Sequence, residues 1–135
     1  MTDLLTPTLA ALQTRLANDA GLQTWLGAPA RVYDLRPAMA TFPYITIGPV
    51  ELRPADTKNV QMQNFLVTVQ IFSRQVTGAE CHALLSQLRG CLHDASFAIT
   101  GAALVRCQEE FASVFTDAKS ETAQGLARYR LVVSA

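Results

Sequence analysis

The sequence predicts an α+β fold, a mainly antiparallel four-stranded sheet with two main helices packed on one face. Three observations carry that expectation. Residues Phe65 to Arg74 read Phe-Leu-Val-Thr-Val-Gln-Ile-Phe-Ser-Arg, so Phe65, Val67, Val69 and Ile71 share one face. β-branched and aromatic residues at period two suit a strand lying on a core. The period then switches to that of a helix over Gly78 to His93, where Cys81, Leu84, Leu85, Leu88, Cys91 and Leu92 form a continuous apolar stripe. Finally, alternating runs at Ala103 to Phe115 and Gln124 to Val133 flank a polar stretch, Thr116 to Ala123, as adjacent antiparallel strands do.

The elements follow in order. Thr6 is a suitable N-cap and Pro7 a suitable first helical residue for a helix carrying Leu5, Leu9, Leu12 and Leu16, with Asn18 and Gly21 at its end. A short helical piece places Leu22, Trp25 and Leu26 on one side and closes at Gly27 and Pro29. Trp25 is expected to pack, anchoring this turn on the sheet. Val32 and Tyr33 make a short strand, broken at Arg36-Pro37. Tyr44 to Gly48 follows Pro43 with Ile45 and Ile47 on one face, and Pro49 and Pro54 limit its extension. Leu52 to Gln61 lacks the Asn-Gly or Asp-Gly of a tight hairpin and is expected to protrude as a long polar loop. The strong strand covers Met62 to Ser73, and Thr77 with Glu80 has capping-box spacing ahead of the main helix. Gly101 marks the turn into the third strong strand, and Ala127, Tyr129, Leu131 and Val133 alternate in the last. No linker, repeat or low-complexity tract intervenes, so residues 1–135 read as one domain.

Composition narrows function. Half the residues are hydrophobic and only 16% are charged, against about 25% in a typical soluble domain, and the formal net charge is zero. Sparse, balanced charge favours association, so a homo-oligomer or a subunit of a larger assembly is expected. The eleven basic residues are scattered, which disfavours nucleic acid as the main partner. No signal peptide is read at the start, and no apolar run approaches the roughly 20 residues of a membrane span, so no membrane partner is expected. Cys81, Cys91 and Cys107 include no CxxC pair and read as reduced thiols of a cytosolic product.

No residue pattern points to catalysis. Cys81 and His82 diverge by about 100° on a helix, and His93 is about 16 Å along from His82, so no shared metal is expected. Cys91 and His93, two apart, point to different sides. Glu109 and Glu110 face opposite ways in a strand and are read as structural partners of Arg128 or Arg130. GxGxxG, GxxxxGK and GxSxG are all missing. No catalytic, cofactor-binding or metal residue is therefore assigned, and enzyme activity is not expected. Surface remains. Leu66, Thr68, Gln70 and Phe72 oppose the core face, and with Leu126 and Val132 they make a half-apolar outer surface suited to a subunit contact.

The order of motifs resembles the tail terminator, or tail-completion, proteins of siphophages and gene transfer agents. The residues that carry the likeness are Leu9 to Leu16, Gly21-Leu22 to Leu26 with Arg31-Val32-Tyr33, and Pro43-Tyr44-Ile45-Thr46-Ile47-Gly48. Val67 to Arg74, Leu88-x-x-Cys91-Leu92 and Ala127-Arg128-Tyr129-Arg130-Leu131 complete it. The resemblance implies a structural virion protein that forms a six-membered ring, caps the tail tube, stops its polymerisation and joins tail to head. Implied partners are copies of itself, the tail tube protein and a head-completion, stopper or connector protein, with DNA only passing through the lumen. The implied location is the neck of a virion or virus-like particle, reached from the bacterial host cytoplasm. Candidate contacts are Arg53, Asp56, Lys58 and Asn59 in the first loop, Asp117, Lys119 and Glu121 in the second, and Leu66 and Phe72 on the outer sheet face. The alternatives are another neck protein such as a head-completion or stopper protein, a small-molecule-binding α+β module, and a thiol hydrolase using Cys91 or Cys107.

Overall fold

The first helix is started by Asp3. Its carboxylate accepts the N–H groups of Leu5 (3.0 Å) and Thr6 (3.1 Å), two of the donors that a helix leaves unpaired at its beginning. Thr6 is therefore already helical rather than the expected cap. Pro7 still falls in the first turn of α1 (Leu5–Ala17), where a missing N–H costs nothing. The computed structural model describes residues 3–34, 39–54, 62–75, 77–117 and 119–135. Leu12 and Leu16 are buried, with Leu5 and Leu9 partly buried beside them.

Asn18 ends α1, and Asp19 caps α2 (Ala20–Leu26) by accepting from the Leu22 N–H at 3.0 Å. Leu22 and Leu26, four residues apart, take the ridge that faces the core. Trp25 is turned to the flank and is 37% exposed, so it does not anchor the turn as expected.

The sheet has five strands in the order β1-β2-β3-β5-β4, not four. They are β1 (Val32–Tyr33), β2 (Tyr44–Pro54), β3 (Met62–Ser73), β4 (Ala103–Asp117) and β5 (Thr122–Ser134). β1 runs parallel to β2, with Val32 opposite Ile45 and the Ile45 N–H donating to the Arg31 carbonyl at 3.0 Å; the other pairs are antiparallel. The sheet is thus mixed.

Pro49 does not stop β2. Between Ile47 and Val50 three steps of β2 oppose two of β3, a bulge that absorbs the proline, with Gly48 at φ +129°. Leu52, Arg53 and Pro54 consequently belong to a strand. The rest of the expected loop, with Asp56, Lys58 and Asn59, lies outside the described residues. At the far end β4 runs on to Asp117 and β5 starts already at Thr122, both longer than expected, so the second polar loop is shorter than expected.

α3 (Ala79–Leu92) buries all six residues of its predicted stripe. The capping box does not form. Gly78 stands at the N-cap position with φ +78°, and the Glu80 carboxylate instead accepts the Ser73 hydroxyl at 2.6 Å, tying the helix start to the end of β3. Phe65, Val67, Val69 and Ile71 pair across with Leu131, Tyr129, Ala127 and Gly125, and the helices cover this face. Gly125 lets α3 lie close: a Cβ there would sit 3.3 Å from Ile71 Cβ and 3.6 Å from Cys81 Cβ.

Candidate interaction surfaces

Facing pairs fix which side chains populate the sheet face turned away from the helices. One row is Phe72, Gln124 and Phe115; another is Thr68, Arg128 and Phe111. Leu66 is opposite Glu51 and Arg130 and is only 6% exposed, so it is not available to a partner as expected from alternation alone. Its neighbour Arg130 reaches the Glu110 carboxylate at 2.6 Å. Phe72 is half-buried and stacks on Tyr44 at 4.9 Å and 20°, with Phe42 5.1 Å beyond.

The accessible apolar groups of this face lie on β4 instead. Phe111 is 49% and Phe115 52% exposed, and β4 is an edge strand. The two positions were not singled out in the sequence, although Phe111-Ala112-Ser113-Val114-Phe115 holds a signal: five uncharged residues with aromatics at both ends. A bulge between Glu109 and Phe111 hides it by shifting the alternation.

Charged groups near β4 are mostly engaged structurally. Glu109 accepts from Arg89 Nε at 2.6 Å and from the Tyr129 hydroxyl at 3.3 Å, while its N–H donates to His93 Nδ1 at 3.1 Å. Glu110 takes Arg130, one of the partners expected; Glu109 takes Arg89 of α3 instead. The Glu109 bond and charge push the Arg89 pKa further up, and burial, reinforced by the Glu109 charge, pushes the Tyr129 phenol up. Arg128 lies over the Phe111 ring at 5.9 Å.

Of the loop candidates, Asp117, Lys119 and Glu121 come together at the β4–β5 turn, all exposed. The Ser120 hydroxyl and the Lys119 N–H (3.0 Å) hold the Asp117 carboxyl below its ordinary value. Glu121 adopts φ +52°. Arg53 sits near the other end of the sheet, ion-paired with Glu51 at 3.3 Å where both are exposed.

The thiols are poorly suited to nucleophilic work. Burial pushes Cys81 and Cys91 up to about 11 and Cys107 up to about 12, the reverse of what a thiolate nucleophile needs. Among the described residues no three His, Cys, Asp or Glu side chains group as metal ligands, and no helix is long and apolar enough to cross a membrane. Two grooves remain. One of about 700 Å³ runs beside α1, between Ala11, Thr14, Arg15 and Phe97. The other, of about 260 Å³, separates α3 from β4.

Comparison with known proteins places these surfaces in context. The model of the family described as "Tail completion protein gp17" matches residues 10–134. A solved chain from the "Virion of native gene transfer agent (GTA) particle" superposes with a TM-score of 0.89, covering 100% of both chains at 19% identity, which establishes a common fold. No curated protein matches.

Proposed function

The chain belongs to the tail completion protein gp17 family, whose members are structural tail proteins of virions and not enzymes, and from that membership we propose a specific role at the end of the tail. Copies of the protein form a ring, hexameric as the family resemblance implies, that seats on the last ring of the tail tube. The ring stops polymerisation, offers its other side to a head-completion or connector protein, and leaves a lumen for DNA.

The single observation that carries this reading is the family match along 125 of 135 residues, read from the matched span 10–134. The surface chemistry supports it: low charge, and aromatic groups exposed on an open strand edge. Modest contacts suffice in such a ring, because each added subunit binds through several at once. The β4–β5 turn, with Asp117, Lys119 and Glu121, and the end of β2, with Arg53, are the proposed contacts to the rings above and below. Native mass spectrometry with negative-stain imaging of the purified protein, alone and with isolated tail tubes, tests the proposal. A closed ring is expected. A strict monomer under both conditions overturns it.

A further inference from the structure

β4 is open along part of its outer edge. The Cys107 carbonyl accepts the Asp94 N–H (2.8 Å) and the Glu109 N–H reaches His93, so backbone groups of this parity point away from β5. The segment after α3 thereby covers the edge as far as Glu109. Beyond the bulge the same parity falls on Ala112, Val114 and Thr116, which face Ala127, Gly125 and Ala123 of β5. No described residue bonds to their outward N–H and C=O groups. From Phe111 to Thr116 there is no proline, lysine or other charge, the usual protections of an edge strand. The other end of the sheet is covered only in part: β1 lies against Ile45 and Thr46 of β2, and no described residue bonds to the outer side of β2 from Val50 onward.

A groove adjoins the open edge. It is walled by His82, Leu85 and Ser86 of α3 and by Ala112 and Val114 of β4, on the helix-bearing side of the sheet. A helix beside an open strand is the geometry that receives an added strand, whose backbone bonds to the edge while alternate side chains fill the groove.

We infer that the occupant is β2 of a second copy of this chain, its Val50–Leu52 stretch pairing with Ala112–Val114 and its Leu52 entering the groove. Leu52 faces Phe65, which puts it on the helix-bearing side, yet it is 44% exposed. It is a knob at one edge of the sheet that matches the hollow at the other. Strand direction agrees: β2 to β3, β3 to β5 and β5 to β4 are each antiparallel, so β2 runs opposite to β4. Subunits repeated around an axis along the strands then bring β2 to β4 antiparallel. Each copy uses one edge as donor and the other as acceptor, the head-to-tail arrangement that closes into a ring. This inference rests on the ring proposed above and names the surfaces that build it.

Three variants test it. Ala112→Pro removes an outward N–H without touching the ladder to β5; Ser86→Trp fills the groove from α3; Leu52→Asp spoils the knob. Each is expected to weaken self-association at least about thirtyfold in sedimentation velocity, with a melting temperature close to that of the starting protein. Mixing Ala112→Pro with Leu52→Asp restores one interface per pair, so heterodimers form and rings do not. Should all three variants assemble rings as readily as the unaltered chain, the strand pairing is wrong and the ring proposal stands. If the unaltered chain forms no ring alone or on tail tubes, both are overturned.

Discussion

Replacing Gly125 tests how the main helix is held on the sheet. The space a side chain would need is already bounded by Ile71 Cβ at 3.3 Å, Ile71 Cδ1 at 3.5 Å and Cys81 Cβ at 3.6 Å. Gly125→Ala adds one methyl 3.3 Å from Ile71 Cβ, closer than an ordinary contact, so Ile71 must give by a few tenths of an ångström, and the gain from a less flexible unfolded chain offsets part of that crowding. Gly125→Val adds two further methyls against Ile71 and the first turn of α3, which forces strand and helix apart. Overpacking of this kind costs about 1–3 kcal/mol. With an unfolding entropy of about 0.28 kcal/mol/K for a chain of 135 residues, that is a fall in melting temperature of about 4–11 °C. Thermal unfolding followed by circular dichroism at low protein concentration reads it without contribution from assembly. Ile71→Val, which removes Cδ1, is expected to recover part of the loss in the double variant. A Gly125→Val protein as stable as the starting chain, or an Ile71→Val background that deepens the loss, would refute the close approach of α3 at this point.

Other expectations follow from the same core. Leu88 is fully buried in the α3 stripe, so Leu88→Ala is expected to cost about 2–5 kcal/mol in urea unfolding; an unchanged midpoint would contradict the packing. The Tyr44 hydroxyl is buried with no hydrogen-bond partner among the described residues, so Tyr44→Phe is expected to leave stability unchanged or raise it by about 1 kcal/mol. A clear loss in the same assay would mean that the hydroxyl is satisfied. Alkaline pH is expected to destabilise the fold. The thiols of Cys81, Cys91 and Cys107 ionise near 9 in the unfolded chain but only at about 11 to 12 when folded. Their contribution is therefore complete below pH 9 and is lost as pH rises towards the folded values. A melting temperature flat from pH 8.5 to 10.5, where the Cys-to-Ala variants behave identically, would show that the thiols are not shielded. Replacing both Phe111 and Phe115 with Ser is expected to weaken self-association while sparing the monomer, measured by sedimentation, since both rings lie largely in solvent before assembly. Unaltered association would exclude the β4 face from the contact.

Legibility of the fold followed the strength of the period. β3 begins and ends at the residues expected, Met62 and Ser73, and every member of the α3 stripe is buried. Both carry long, unbroken alternation or helical spacing. The short strand at Val32–Tyr33 was read in its place, but its parallel pairing with β2 was not legible, because two residues carry no direction and the partner is set by tertiary contact. Pro49 was misread for a local reason: a proline in a strand is tolerated where a bulge frees its nitrogen from the ladder, and no sequence rule announced the bulge. The burial of Leu66 and the exposure of Trp25 share one cause, since neighbouring strands and helices rather than residue type decide how much of an apolar side chain meets water. For the interaction surface, Arg53, Asp117, Lys119 and Glu121 were found as exposed positions, whereas Phe111 and Phe115 escaped notice because edge position is a property of the whole sheet.

The role at the tail end is tested most directly by the tail-length distribution, in electron micrographs, of particles produced without this protein. Tails longer than normal and not joined to heads are predicted, with normal joined tails returning when the gene is supplied again. Particles whose tails keep their normal length and remain attached to filled heads would contradict the account.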